Sequence, residues 1–585
     1  MKTRLIIAIY SIMLLTVSMI PWISSVYQPG VTGSLFIDPA NGNTLHIDEY
    51  DLALTGIDKD GVTYFCLPPF INLTAIDMQT SPVKIYLKDG SLLNKPEFGN
   101  VQDILVYEED GTAIPWKIEF MQSANLNSVF LELCDTDISS IDHDIPSPVS
   151  AKIYSPAGIL KYHDQNAQIK GRGNATWRAG YFEPDKKPYD LFFTDSVQIG
   201  NMLPENKWTM LANVYEGTKV LNRMVLDTAR ELDMKFVSDC EWIDLYIDGK
   251  YMGNYLVCSE PASSAASIID AGGWLAEKND VYFDKKPYGI STPHDRFTLK
   301  TKEAPSSGSI DAISRFITNI DRHIYSDTSA ISEYIDLNSF VQWYLLEEVF
   351  YNEDAMISSC FFYKPSSEDL LYAGPPWDFD NVCGEAGSRL LNYEGSILDE
   401  PEDRQPIKWY NLLNEDPAFR DRLYKLFDDN RSVFANLIFS GLDEYYKEVG
   451  ASAEMDRTIY GKTGYGQAYT VPGYYSSVYD NFRYTKFFLY KRLCYLSGKW
   501  GRDAISKPAD LSDGSTHNVY FVFPSGDSEQ ITVPDGTQLS PEDYPAYDTN
   551  KYDGWVYESN GLEASYYLPV FEDCTFILEE KEADL

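Results

Sequence analysis

The chain has 585 residues, enough for several domains, and 44% of them are apolar and 23% charged, a balance that folds. A formal net charge of −40 argues against nucleic acid as a partner, because so acidic a surface repels a polyanion. Aromatic residues reach 14%, led by 43 Tyr, which favours an extracellular or carbohydrate-rich setting.

At the N-terminus, Lys2 and Arg4 precede an apolar run from Leu5 to Ile20 that Pro21 and Trp22 close. Residues 1–28 therefore read as a signal peptide or an uncleaved signal anchor, a single N-terminal membrane segment with its basic end inside and the acidic body outside. Residues 30–145 alternate short apolar runs ("VTYFCL", "SPVKIYL", "SVFLELC") with turns such as "KDG", "EDG" and "NLN", which predicts a small all-β domain. The stretch "TDISSIDHDIPSPVS" marks its end.

From about 150 the pattern is mixed. "SAKIYSP", "AQIKGRG" and "KPYDLFF" predict strands, and "TKVLNRMVLDTARELDM" carries apolar residues at helical spacing. "CEWIDLYIDGKYMGNYLVC" predicts a hairpin turning at Asp248-Gly249-Lys250. Its Cys240 and Cys258 are equidistant from Gly249, so a disulfide and two free buried thiols are both open readings. The eight Cys contain no CxxC pair, which excludes the usual structural zinc site, and the six His form no metal or triad pattern. "SIDAISRFITNIDRHIY" and "YIDLNSFVQWYLLEEVFYN" predict helices, followed by a second hairpin, "CFFYK" and "LLYAG" about a Ser366–Asp369 turn. Helices resume in "PAFRDRLYKLFDDNRSVFANLIFSGLDEYYKEV" and "YTKFFLYKRLCYL" up to about residue 500. Residues 508–585 return to short strands, "HNVYFVF", "EQITVP", "YDGWVYES" and "CTFILEE", and predict a separate β module.

The chemistry gathers around the second hairpin. Its open end joins "YNEDAMISS", with Asp354, to "GPPWDFDNVCG", with Asp378 and Asp380. Carboxylates meeting at a hairpin mouth repel one another and call for a cation; all-oxygen ligands select Mg²⁺ or Mn²⁺. Upstream, "IKGRGNATW" runs a strand into a Gly-rich turn carrying Arg172 and Asn174, and "DKKPYDLFF" leads a lysine pair into a strand, a setting suited to phosphate oxygens. Gly-rich turn, lysine strand, helix, hairpin, helices, then two carboxylate loops about a hairpin is the layout of a kinase fold.

In order, "KGRGNATW", "KKPYDLFF", "KWTMLANVYE", "WIDLYIDGKYMGNYLV", "YIDLNSFVQWYLLEEVFYNEDA" and "PPWDFD" resemble the CotH kinase family, spore-coat-type atypical secreted protein kinases, over about residues 150–500. The resemblance implies an α+β, protein-kinase-like two-lobed domain at 150–500, flanked by the small β modules. It also implies ATP- and Mg²⁺- (or Mn²⁺-) dependent phosphorylation of Ser or Thr on a secreted or surface protein, by an enzyme exported or anchored on the outer face of a bacterial cell. It casts Asp354 as the catalytic-loop carboxylate that orients the substrate hydroxyl and accepts its proton. Asp378 becomes the metal-binding acid and Asp380 a second ligand or a loop-structuring acid, with "DFD" where kinases have "DFG". Lys187, ahead of its neighbour Lys186, contacts the α/β phosphates, Arg172 and Asn174 hold the phosphate-side turn, and Glu231 is the candidate partner of the lysine. The chain has Ser359 where kinases carry the second-metal Asn, and Asn381 or Asp380 is the candidate to compensate. A non-catalytic kinase-fold adhesin, and a kinase-fold enzyme of adenylylation or amino-acid ligation, are the alternative readings. The last 75 or so residues resemble a repeat-type β domain of bacterial surface proteins.

Overall fold

A computed structural model describes residues 32–581 apart from short internal stretches, the longest being 178–185, 279–287, 385–392, 400–406 and 462–473. The expected signal or anchor at 1–28 and Asn174 lie outside the described residues. Among the described residues no helix is long and apolar enough to cross a membrane.

The chain forms two compact units, residues 1–121 and 122–585. The first holds two antiparallel-rich sheets. Leu52–Thr55, Thr44–Ile47, Thr32–Phe36 and Asp77–Thr80 pair in that order, the last two parallel. Ile57–Lys59, Val62–Leu67, Ala113–Gln122, Gln102–Tyr107 and Ile85–Leu87 form the other sheet. Alternating Leu35, Leu45, Leu54, Phe65 and Phe120 are buried, the two Phe rings stacked at 5.2 Å. This unit ends well short of the expected residue 145, because "SVFLELC" belongs to the second unit: its strand Asn127–Leu133 pairs parallel with Cys240–Ile247, more than a hundred residues away.

The second unit opens with a seven-stranded barrel. Glu205–Leu211, Tyr189–Val197, Leu160–Gly171, Ser147–Tyr154, Asn127–Leu133, Cys240–Ile247 and Lys250–Cys258 follow one another around it. The last strand pairs back to the first through Thr209↔Cys258, Met210↔Val257 and Leu211↔Leu256, which closes the sheet and removes its edges. The hairpin between the last two strands turns through Asp248 (φ 48°) and Gly249 (φ 75°), left-handed conformations that an Asp-Gly pair adopts readily. The barrel is filled by inward Val129, Ile153, Ile169, Leu191, Trp208, Ile243 and Tyr255. The helix Leu221–Glu231 interrupts the strands, and its apolar Met224, Val225 and Ala229 are fully buried.

A five-stranded sheet follows, in the order Gly289–Ser291, Arg296–Leu299, Trp274–Lys278, Cys360–Lys364, Tyr372–Ala373. The helices Ser307–Ser326, Leu337–Phe350, Pro417–Asp429, Leu442–Tyr460 and Val478–Lys499 complete this part. The architecture is mixed α+β with a β-barrel. At the C-terminus, Ser528–Pro534, Thr516–Val522, Cys574–Glu580 and Tyr552–Tyr557 form a four-stranded sheet, so the expected β module is present as strands. It is not a separate bead. Phe521, Phe571 and Phe576 belong to the same apolar cluster as Tyr475, Tyr484 and Phe488, Arg483 pairs with the buried Asp535, and the Tyr475 hydroxyl donates to Pro569 O at 2.6 Å.

Candidate functional site

The site is built on the helix Leu337–Phe350. Twelve of its 14 residues are buried, so it runs through the core rather than along the surface. Asp336 caps it by accepting from Ser339 N at 2.8 Å, and Tyr351 ends it in the left-handed conformation (φ 54°). The chain then enters a tight loop in which Asn352 Oδ1 accepts from Asp354 N at 3.0 Å. The loop reaches the strand Cys360–Lys364 through Ser359 (φ 54°), and that strand pairs with Tyr372–Ala373 through Phe362↔Ala373 and Tyr363↔Tyr372.

The second strand delivers residues 374–383. Gly374 N donates to Phe361 O at 2.9 Å, and Cys383 N donates to Phe350 O at 2.8 Å. Between them Phe379 is fully buried and its N–H donates to Asn222 Oδ1 at 2.8 Å, which hangs the loop on the start of the helix Leu221–Glu231. Held at three points, the loop sustains a left-handed Asp378 (φ 71°), a conformation that non-glycine residues adopt at a cost. The hairpin mouth thus brings the two acidic loops together: Ser359 Oγ donates to Asp378 Oδ2 at 2.8 Å, and Asn381 Nδ2 donates to Asp354 Oδ2 at 3.3 Å.

Negative charge dominates this spot. Asp378 is exposed and Asp380 half-buried. Burial pushes the Asp380 carboxyl well above the usual carboxylate range, and the charges of Asp378, Asp354 and Glu216 push it further. Glu216 is fully buried at the start of the helix Leu221–Glu231, where its Oε2 accepts from Val220 N (2.7 Å) and Leu221 N (2.9 Å), and burial raises its pKa too. Glu347, buried in the helix behind Asp354, is likewise pushed well up by burial and by the Asp354 charge. For all three acids the folded state holds protons more tightly than the unfolded chain, so from about pH 4 upward stability falls as pH rises. We expect the thermal midpoint of the metal-free protein to drop between about pH 5 and pH 7, and Glu347→Gln to flatten that slope; a midpoint that rises over the same window runs against this electrostatic picture.

The basic candidates lie on and beside the barrel strands. Arg172, at the end of the strand Leu160–Gly171, lies with its guanidinium 5.9 Å from the ring centre of Trp377 and its Nε 3.5 Å from Asp190. Lys187 is half-buried, its Nζ 4.6 Å over the Trp177 ring, and that ring packs so closely on Gly171 that a Cβ there would meet it at 2.3 Å. Lys186 points the other way. Its Nζ donates to Ala212 O at 2.6 Å, to Asn254 O, and to Asp456 Oδ2 at 2.5 Å, and burial lowers its pKa to about 8. Lys219 Nζ lies 3.3 Å from Asp456 Oδ1 and donates to Glu216 O at 3.0 Å, so one carboxylate on the helix Leu442–Tyr460 holds both lysines. Glu231 is exposed at the far end of its helix, about 15 Å from the end that touches the acidic loop, so the structure does not bring it to the lysines.

The acid found there instead is Glu216, with Lys219, Asn222 and Asp456 beside it. Glu216 sits in "KWTMLANVYE", just ahead of a helix start, where an acidic cap is a recognisable signal. Asp456 has no local signal, since its partners lie more than 200 residues upstream.

The donor set fits a hard cation. Two buried oxygens among these groups, Glu216 Oε1 and Asn381 Oδ1, have no hydrogen-bond partner, and the acids repel each other. Among the described residues no three acidic, His or Cys side chains converge on one point. A cation bound here would take one or two carboxylates, the rest of its shell coming from water or substrate oxygens, which is how Mg²⁺ is usually bound.

The chain thus joins a mixed α+β architecture to two acidic loops apposed at a hairpin mouth. The family model described as CotH kinase protein matches residues 169–496, more than half of the chain, and the chain belongs to that family. No curated protein matches it.

Proposed function

We propose that the chain is an atypical protein kinase, exported or anchored outside a bacterial cell, that transfers the γ-phosphoryl group of ATP to Ser or Thr of a secreted or surface protein in the presence of Mg²⁺ or Mn²⁺. In this reading the domain is two-lobed, the barrel side carrying Arg172 and Lys187 and the helical side carrying Asp354. The observation that carries it is the opposition of Asp354 and Asp378 across the hairpin mouth, each tied by a hydrogen bond to the other's loop or flank.

Asp354 orients the substrate hydroxyl and accepts its proton; Asn381 Nδ2 fixes the Oδ2 side of that carboxylate. Asp378 and Asp380 are the acids that would hold the metal, with Asn381 Oδ1 as a further oxygen. The metal, when bound, supplies charge neutralisation on the transferring phosphoryl oxygens. Arg172 and Lys187 bind the phosphate chain, and the buried Trp377 and Phe379 exclude water from the loop between them. Positioning and charge stabilisation carry the rate.

A second reading, a non-catalytic kinase-fold adhesin, draws on Ser359, whose hydroxyl occupies Asp378 where a kinase has the second-metal Asn. Adenylylation and amino-acid ligation keep the site but change the group transferred. One experiment separates all of these. The full chain is incubated with ATP, Mg²⁺ and exported proteins of a bacterial culture, and intact masses are read. Phosphoryl addition to Ser or Thr is expected; adenylyl addition or amino-acid addition selects the other enzymes, and no addition together with no Mg²⁺-ATP thermal shift selects the adhesin.

A further inference from the structure

Cys240 and Cys258 are direct partners across the antiparallel hairpin that closes the barrel. Residues so opposed have Cα atoms about 4.5–5.5 Å apart, within the span of a disulfide. Both are buried thiols, one at the start of its strand and the other at the end of the returning strand, where Cys258 also partners Thr209 across the barrel seam. Arg223 NH1 donates to the Cys240 carbonyl oxygen at 2.9 Å. Although burial opposes it, the hydrogen bond from the Cys258 thiol and the Arg223 and Arg230 charges hold the Cys240 thiol below its usual pKa, while burial pushes Cys258 well up. In the folded barrel the pair is asymmetric, Cys240 the more acidic thiol and Cys258 the less acidic one.

We propose that Cys240 and Cys258 are a disulfide site, closed by exchange with a low-molecular-weight disulfide before the barrel seam buries them. One of the two cysteine thiolates attacks one sulfur of the small disulfide and releases a small thiolate. The other cysteine thiol then loses its proton and attacks the protein sulfur of the mixed disulfide, expelling the second small thiolate. Two protein thiols are oxidised and one small disulfide is reduced to two thiols. The bond staples the hairpin whose second strand forms one side of the barrel seam. Through Cys240 O and Arg223 it also steadies the helix start at Asn222, on which the Asp378–Asp380 loop hangs.

The test uses the full chain, unfolded and refolded in a mixture of glutathione and glutathione disulfide, then denatured and alkylated without reductant for peptide mapping. A linked peptide pair joining Cys240 to Cys258, lighter by two hydrogens than its parts, is expected, with the exposed Cys134 alkylated as internal control. Full alkylation of both, or linkage of either to a different cysteine, overturns the proposal. The refolded chain is also expected to melt several degrees higher than the Cys240→Ser/Cys258→Ser variant, and to fall to its level on reduction. An oxidised wild type that melts no higher than the variant overturns the stapling role.

Discussion

Replacing Asp378 by Asn is expected to abolish metal-dependent phosphoryl transfer while leaving the fold at least as stable as the parent. The two halves have one cause. Asp378 stands among like charges, and it raises the cost of ionising Asp380. Neutralising it relieves that repulsion, so the thermal midpoint without metal should hold or rise. Its backbone is already anchored by Phe379 N to Asn222 and by Cys383 N to Phe350 O, so the loop does not depend on the carboxylate. Losing a group that stabilises charge in the transition state costs about 10²–10³-fold or more in rate. The parent should gain thermal stability with Mg²⁺ and ATP, and the variant should not. Transfer within about tenfold of the parent would remove Asp378 from the metal assignment. Activity lost together with a collapsed midpoint would assign it a structural role instead.

Asp456→Ala should be the most destabilising single change near the site. Asp456 is 1% exposed and pairs with both Lys186 and Lys219, themselves buried. Removing it leaves two buried ammonium groups facing each other, and breaking a buried pair in this way costs about 3–5 kcal/mol. The packing around it has no slack: at Gly253 (φ 111°) an added Cβ would come 2.4 Å from Asp456 Oδ2 and 2.6 Å from Lys186 Cε. Urea unfolding followed by tryptophan fluorescence measures the loss. A change below about 1 kcal/mol would mean that water, not protein, solvates the lysines. The double change Asp456→Ala/Lys186→Met should recover part of the loss, because it removes one of the two orphaned charges.

What could be read in advance follows the range of the interactions. Hairpins announce themselves locally, so the Asp-Gly turn at 248–249 and the strands about Ser366–Asp369 were legible, and with them the meeting of the Asp354 and Asp378 loops. Closure of the barrel was not, because Thr209↔Cys258 joins strands whose sequences carry no mark of their pairing. The same non-local pairing drew Asn127–Leu133 out of the expected N-terminal domain. Choosing between Lys186 and Lys187 depends on which side of the chain a single residue takes, and no period is visible so close to Pro188. Side alternation puts Lys186 against Asp456 and turns Lys187 toward Trp177. Glu231 fits the helix pattern but lies at the wrong end of it, whereas Glu216 precedes the helix and caps its first turn.

The likeness to the CotH kinase family stops at residue 496, yet the compact unit that holds it does not stop there. The last helix, Val478–Lys499, buries Arg492 against Glu348 and the backbone of Tyr393 and Gly395, and its other end gives Arg483 to Asp535. Phe571 and Pro569 cover the tyrosines at that end. A gene fragment cut at the boundary of homology would therefore take Asp535 from Arg483, leaving it Asp480 alone, and would bare aromatic rings. Homology marks what evolution has copied as a block; the contacts past residue 500 mark what must be made together for that block to hold.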